Sequence, residues 1–212
     1  MGGQRVHRPQ LGPFDPQTYQ NATQTHFSLG AQDTVQQEER RRARRGERPL
    51  SHSERGRIAM EMDAGVSDSQ WEGSFQLHHI GETGNEVFQG ICGELGLDSD
   101  ATFNTVYLPE QETDETREAT VHMGSHVQDY TDSVNEALMW GIDQVPDGLP
   151  PRIRRNRVEQ AVVDTVGKIR RVILTNQLPL NARNDAMWSE DTEDRITVRE
   201  IFEREGLLRP PQ

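Results

Sequence analysis

The chain has 212 residues, of which 32% are hydrophobic and 27% charged, and its net charge at neutral pH is −12. This apolar fraction is low for a fully packed globule, so part of the length is expected to be arm, linker or partner-dependent structure. No apolar run approaches the ~18 residues of a membrane span, and no basic-then-apolar start resembles a signal peptide, so we expect no membrane partner. The single cysteine, Cys92, excludes an internal disulfide and is expected to be a small buried hydrophobe.

Residues 1–50 are expected to form an N-terminal arm. Residues 1–36 are rich in Gly, Pro, Gln and Thr without a sustained period, so we expect extended backbone that is ordered only where something covers it. The basic run 38–48 is either a nucleic-acid contact or a solvated segment or short helix face. Ser51 and Glu54 have the spacing of a capping box and predict a helix over 52–64.

In the middle of the chain, the spacing of apolar residues switches between the period of a strand and the period of a helix. Periodicity predicts a strand around 74–80, a helix over 87–97, a strand over 103–108 and a helix over 121–140. The first of these helices should end near Gly96, and Pro109 should stop the second strand. An acidic loop is expected at 110–118. Residues 51–145 are therefore predicted to form the core domain.

Residues 146–212 are predicted to form a helical extension. Apolar residues recur on one side of a long helix over 152–174, and its basic residues, Arg170 among them, should lie on the remaining faces. Thr197 and Glu200 look like a capping box for a last helix from about 198, with Gly206 as its stop.

Four of the seven histidines lie in two tight clusters. His122 and His126 are four residues apart on a predicted helix, so both imidazoles should project from one face, as two ligands of one metal do. His78 and His79 are adjacent on a predicted strand and should point to opposite sides, so one could complete the metal shell while the other addresses a water. The plainer alternatives are chance clustering on the surface and a structural zinc, although the latter usually recruits cysteine.

Five motifs in a fixed order resemble one nuclease family. They are Leu77-His78-His79-Ile80, Leu95-Gly96-Leu97-Asp98, the segment from Asn104 to Pro109, His122-Met123-Gly124-Ser125-His126, and Tyr130. Together, over about residues 76–140, they resemble the AHH branch of the HNH/endonuclease VII nucleases, which occurs among secreted bacterial toxins. Leu77 stands where that family usually has Ala, and this residue is expected only to pack.

The resemblance implies an α+β, mostly helical fold with a ββα-metal core, flanked by the arm and the C-terminal helices. It also implies a metal-dependent endonuclease that hydrolyses phosphodiester bonds, in DNA first and in RNA as the other option. His79 would be the general base, and Asn104, on the second strand, would hydrogen-bond across the hairpin and hold the base in position. His78, His122 and His126 would ligate one divalent ion, which could be Mg, Mn, Zn or Ni. The roles of His78 and His79 could be reversed.

The same resemblance implies an antibacterial toxin. Such a toxin would be secreted without a signal peptide by a type VI or related contact-dependent system and would act in the cytoplasm of the target cell. A cognate immunity protein would neutralise it, and a component of the secretion system could be a further partner. A non-toxin HNH endonuclease and a non-catalytic, metal-stabilised adaptor are the alternatives.

The placement of charge is an objection to a nucleic-acid substrate. Residues 71–148 contain one Arg against 16 Asp and Glu, whereas phosphate binding rests largely on Lys and Arg. The flanking basic segments could supply the phosphate contacts, and we assign this role to Arg152, Arg154, Arg155 and Arg157. A helix face that is only solvated would explain the same residues equally well.

Overall fold

A computed structural model of the chain describes residues 25–51, 54–55, 58–59, 62, 75–109, 120, 126–175, 178, 180 and 197–209. In chain order, the elements are α1 (Leu29–Arg44), β1 (Phe75–His79), α2 (Glu86–Leu95), β2 (Thr105–Pro109), α3 (Gln128–Asp143), α4 (Pro151–Thr175) and α5 (Val198–Arg204). A short 3-10 turn, Thr102–Asn104, precedes β2. The fold is α+β and mostly helical, as predicted. None of the described helices is long and apolar enough to cross a membrane.

The two strands pair antiparallel, with Phe75 opposite Pro109 and His79 opposite Thr105. The strand, helix, strand and helix predicted in the middle of the chain are all present. β2 begins two residues later than predicted and ends with Pro109. Proline has no N–H to donate to a ladder, so it is tolerated only where that donor is not needed, as at the end of a strand in this two-stranded sheet. The predicted acidic loop at 110–118 lies outside the described residues.

Local signals fix the bounds of α2. The Asn85 side chain accepts from the backbone N–H groups of Val87 and Phe88, and Gly96 ends the helix in a left-handed conformation (φ 70°), as predicted. Before this helix, a Cβ at Gly81 would lie 2.5 Å from the Phe88 ring. The absence of a side chain at Gly81 therefore lets the end of β1 pack directly on α2.

One hydrophobic core joins the strands to the C-terminal helices. Buried side chains from α2, β2, α3, α4 and α5 belong to it, as does Ile80 directly after β1; Phe88, Leu138, Ile169 and Phe202 are examples. The predicted burial of Cys92 is confirmed, and burial raises the pKa of its thiol to about 12. The division of the chain at residue 146 stays a prediction, but the core is continuous across it.

The predicted C-terminal helices are confirmed, with one difference in burial. α4 spans nearly the predicted range, and the capping box of Thr197 and Glu200 begins α5. Arg170 was expected among the surface residues of α4, yet it is buried. Its guanidinium donates to the carbonyls of Thr102, at 2.6 Å, and Phe103. α4 therefore holds the turn that leads into β2.

The arm prediction is wrong for residues 29–36, which are helical as part of α1. Ser28 caps this helix by accepting from the N–H of Ala31, and ion pairs such as Glu38 with Arg41 support it one turn apart. Residues 1–24 lie outside the described part of the chain. The capping box of Ser51 and Glu54 is present, and the described residues in the range 54–62 are helical.

The helix predicted from Val121 begins only at Gln128. Val127 is extended (ψ 148°), and its N–H donates to the carbonyl of Leu180 at 2.9 Å, so a tertiary contact stands where the helix was expected to pass through Val127. His126 precedes α3 and is not on a helix, so the argument from a shared helix face is wrong. His122 lies outside the described residues.

Candidate functional site

His78 lies on β1 with its side chain fully buried. Its Nε2 atom is 3.1 Å from the hydroxyl oxygen of Tyr130, and its Nδ1 atom is 3.0 Å from Nε2 of His126. The His78 and His126 rings meet edge to face, with centroids 4.7 Å apart. β1 and the segment before α3 therefore bring together one member of each histidine cluster, as the sequence predicted.

The proton on Tyr130 fixes the tautomer of His78. Burial, together with the Glu82 carboxylate, raises the pKa of Tyr130 well above its usual value, so the hydroxyl keeps its proton. That single proton is donated to the carbonyl of Ile80 at 2.9 Å. The tyrosine oxygen must then accept from Nε2–H of His78, which leaves a lone pair on Nδ1 of His78.

His126 has a carboxylate on its other side. Its Nδ1 atom contacts Oε1 of Glu82. Because an ionised carboxylate only accepts, Nδ1–H is the donor, and neutral His126 carries its lone pair on Nε2. In that form the lone pairs of His78 and His126 face each other. Such an arrangement is repulsive unless a proton or a cation lies between the two nitrogen atoms.

The pair of imidazoles fits two ligands of one metal ion. Metal–nitrogen bonds of about 2.0–2.1 Å place two ligand atoms of a tetrahedral ion about 3.4 Å apart, close to the observed 3.0 Å. Each ring also has its second nitrogen held by an oxygen, from Tyr130 or Glu82, as ligating histidines usually do. Within the described residues, no three His, Cys, Asp or Glu side chains form a complete metal-binding group. The third predicted ligand, His122, lies outside them.

His79 has a different partner from its neighbour. Its Nε2 atom is 3.1 Å from Oδ1 of Asp100, and 11% of each side chain is exposed. Adjacent strand residues point to opposite faces, as predicted for this pair. One histidine is thus enclosed with Tyr130 and His126, and the other is paired with an acid at the edge of solvent.

Asn104 is buried in the 3-10 turn before β2 rather than on the strand. Its side-chain amide donates to the carbonyls of Gly81 and Ser99, each at 2.8 Å, and its oxygen accepts from the Gly81 N–H at 2.7 Å. The expected hydrogen bonding across to the end of β1 is therefore present. Asn104 contacts the backbone two residues beyond His79.

The arginines assigned to substrate lie on the first turns of α4. Arg152 and Arg157 are exposed, Arg154 is 3.6 Å from Asp147, and Arg155 donates to the carbonyl of Leu95 at 2.9 Å. Arg155 thus also contacts the C-terminus of α2. The basic run on α1 is largely neutralised locally, because Arg41, Arg42 and Arg45 pair with neighbouring glutamates.

Two acids at this site were missed by sequence reasoning. Glu82 and Asp100 were counted only among the acids that would repel a nucleic acid, but they contact His126 and His79. Tyr130 was named as part of the family motif, and its hydrogen bonds to His78 and Ile80 were not foreseen. No local spacing relates either acid to its histidine, because each pair is joined only by the tertiary fold.

Comparison with known proteins supports the resemblance. Residues 59–140 match a nuclease family of the HNH/ENDO VII superfamily with conserved AHH. This AHH match includes both histidine clusters, Asn104 and Tyr130. The sequence has one pair of adjacent histidines, His78 and His79, and the residue before it is Leu77 instead of the Ala of the AHH signature. It covers less than half of the chain, and α1, α4 and α5 lie outside it. No curated protein and no solved structure matches the chain. The AHH match implies a nuclease that acts on nucleic acid.

Proposed function

We propose that the chain is a metal-dependent endonuclease that hydrolyses phosphodiester bonds, with DNA as the first expected substrate. The observation that carries this proposal is the pair of facing nitrogen atoms on His78 and His126, 3.0 Å apart. Each ring is held by a separate oxygen partner, and His79 lies beside them on β1. The AHH match supplies the reaction class.

The environments of the two adjacent histidines favour different roles. Both nitrogens of His78 are enclosed, one by Tyr130 and one by His126, so His78 is suited to ligation and not to proton exchange with a substrate. His79 reaches solvent and has a carboxylate on one nitrogen, which suits a general base that takes a proton from water. His126 and His122 complete the proposed ligand set.

The bound ion, which could be Mg, Mn, Zn or Ni, would stabilise negative charge on the phosphate and on the leaving oxygen. The protein's own groups do the rest. His79 accepts a proton from the attacking water, and Asn104 holds the backbone after β1 through its paired contacts with Gly81. The arginines at the start of α4 contact the phosphates that flank the cut.

The biological role proposed is that of an antibacterial toxin. It is supported by the resemblance of residues 76–140 to a nuclease branch common among secreted toxins. Delivery by a type VI or related contact-dependent system, action in the target cytoplasm and a cognate immunity protein are parts of the same proposal. Inducible expression in bacteria, with chromosomal DNA examined over time, tests it. Growth and intact DNA under conditions in which the purified protein is active would contradict the toxin role.

The enzymatic proposal is tested with purified full-length protein on plasmid DNA and on RNA. Cleavage should require a divalent ion, stop with chelator and return when Mg, Mn, Zn or Ni is added. His126→Ala should lose both metal binding by calorimetry and cleavage, and His79→Ala should lose on the order of 10²–10⁴-fold in rate while retaining metal. His7→Ala, which changes a histidine outside the AHH match, is the control and should behave as wild type. Cleavage that survives chelation would refute metal dependence.

A further inference from the structure

We propose that Asp100 is a positioning residue that fixes the tautomer and orientation of His79, and that Asn104 sets the distance between the two. This inference rests on the proposed role of His79 as the general base. Neither Asp100 nor its contact with His79 follows from the spacing of the histidine clusters. Both depend on the loop between α2 and β2.

The chemistry of the contact determines which nitrogen can act as a base. An ionised carboxylate offers only lone pairs, so the 3.1 Å contact requires the proton of His79 to be on Nε2. Neutral His79 then has its lone pair on Nδ1. A histidine without such a partner populates both tautomers and can turn about its side-chain bonds. Asp100 removes that freedom, as carboxylates do for histidines that act as bases.

The loop that carries Asp100 is itself held in place. Oδ1 of Asp98 accepts from the Asp100 N–H at 3.1 Å, and the Asp98 carbonyl accepts from the Ala101 N–H at 2.9 Å. On the other side, the Asp98 N–H donates to the carbonyl of Thr25 at 3.0 Å. Asp100 therefore reaches His79 from a backbone that is constrained on both sides.

Asn104 joins the two segments directly. Its amide donates one hydrogen bond to Gly81, two residues after His79, and one to Ser99, immediately before Asp100. The buried amide of Asn104 thus fixes the distance between the end of β1, which carries His79, and the loop that carries Asp100. This explains how Asn104 acts on the base without contacting its ring in this structure.

The first test reads the tautomer itself, by nitrogen NMR of the His79 ring in metal-free, full-length protein at mildly alkaline pH. Wild type should show a protonated Nε2, and Asp100→Ala should show a mixture of tautomers. Asn104→Ala should shift the spectrum in the same direction, because the two segments are no longer held at a fixed spacing. A wild-type ring protonated on Nδ1, or an unchanged ring in Asp100→Ala, would overturn the proposal.

The second test uses Asp100→Asn, which keeps the size of the side chain and lets an amide donate to Nε2. With wild-type protein active, kcat should fall on the order of 10²–10⁴-fold, with KM and metal affinity unchanged. Asp132→Asn, an exposed acid on α3, makes the same change in charge and should behave as wild type. Loss of metal binding in Asp100→Asn would make Asp100 a ligand, and an unchanged kcat would make it a loop residue. Either result overturns the inference.

The two proposals fail separately. If wild-type protein cleaves nothing with any ion, the nuclease proposal fails, while the NMR spectrum still decides whether Asp100 fixes the tautomer of His79. If wild type cleaves and the tautomer is not fixed, the positioning role fails alone.

Discussion

The polar side chains around β1 and those along α1 both form many hydrogen bonds and ion pairs, but they lie in different surroundings. His78 and Asn104 are fully buried, whereas 65% of the Arg41 side chain is exposed. A buried polar group that loses its partner cannot turn to water, so the loss costs the full desolvation of that group. An exposed pair exchanges its partner for solvent at little cost.

This difference bears on what each region can do. The buried groups have one arrangement, which suits a site where a base and its ligands must be placed accurately. The arginines of α1 can exchange glutamates for other anions, so they suit adjustable contacts and contribute little to the fold. Four measurements test this difference between buried and exposed polar groups.

The largest effect is expected from Tyr130→Phe. Removing the hydroxyl leaves the buried Nε2–H of His78 and the carbonyl of Ile80 without this partner, which should cost about 3 kcal/mol of unfolding free energy. Metal affinity should fall about 10–100-fold, because the ring of His78 is no longer oriented. Chemical denaturation and calorimetry measure the two effects. Wild-type values for both would show that the tyrosine is only a packing residue.

Arg170→Met should be next in size. It removes the guanidinium from the carbonyls of Thr102 and Phe103 and should cost about 2–3 kcal/mol, since both acceptors are buried. Its exposed neighbour is the matched control, and Arg171→Met should change stability by less than about 0.5 kcal/mol. Equal losses of stability in the two variants would show that burial of the arginine does not decide its contribution.

The salt dependence of DNA binding should distinguish two basic surfaces. Replacing the α4 set with Gln should lower the log–log salt slope by about 0.9 for each phosphate that the protein no longer neutralises. This set is Arg152, Arg154, Arg155 and Arg157. Replacing the five arginines in the range 40–45 should change the slope less, because three of them already pair with glutamates. Metal occupancy should be unchanged in both variants. A larger change in the α1 variant would assign the phosphate contacts to α1 instead.

The smallest effect concerns Glu54 in acid. Hydrogen bonds from Arg48 and from the backbone and hydroxyl of Ser51 lower the pKa of Glu54 from 4.5 to about 2. Because the folded pKa is below the unfolded value, its contribution to stability is present above pH 4.5 and is lost as the pH falls towards about 2. The difference in unfolding free energy between wild type and Glu54→Gln should therefore shrink over this range. A difference that is constant with pH would contradict the assignment.

Local patterns predicted the elements whose boundaries depend on local chemistry. Asn85, Gly96 and the Thr197 capping box mark helix ends through contacts within a few residues, and the strand predicted around 74–80 was confirmed at Phe75–His79. The start of α3 was predicted wrongly because the N–H of Val127 bonds to Leu180, a contact that no local window contains. Residues 29–36 were predicted wrongly because a weak composition signal outweighed the cap at Ser28.

The candidate site shows the same difference between features set by local sequence and features set by tertiary contacts. The meeting of His78 with His126 was predicted from the family-like order of motifs. The separate argument that His122 and His126 share a helix face was wrong, because His126 precedes α3. The oxygen partners of the histidines were not predicted, since Glu82 and Asp100 reach their histidines only after the hairpin and the loop before β2 have formed. The assignment of base, ligands and phosphate-binding arginines stays a prediction.

The buried contact of Arg170 with the turn before β2 has a consequence for engineering and for evolution. The AHH match ends at residue 140, thirty residues before this arginine. A segment cut at the borders of the match would lack Arg170, which donates to the carbonyls of Thr102 and Phe103 just before Asn104. Grafting the matched segment alone onto another protein should therefore yield a poorly folded product. A graft that also includes α4 keeps the contact of Arg170 with the turn before β2. Where recombination exchanges such modules, breakpoints after α4 should be tolerated better than breakpoints between α3 and α4.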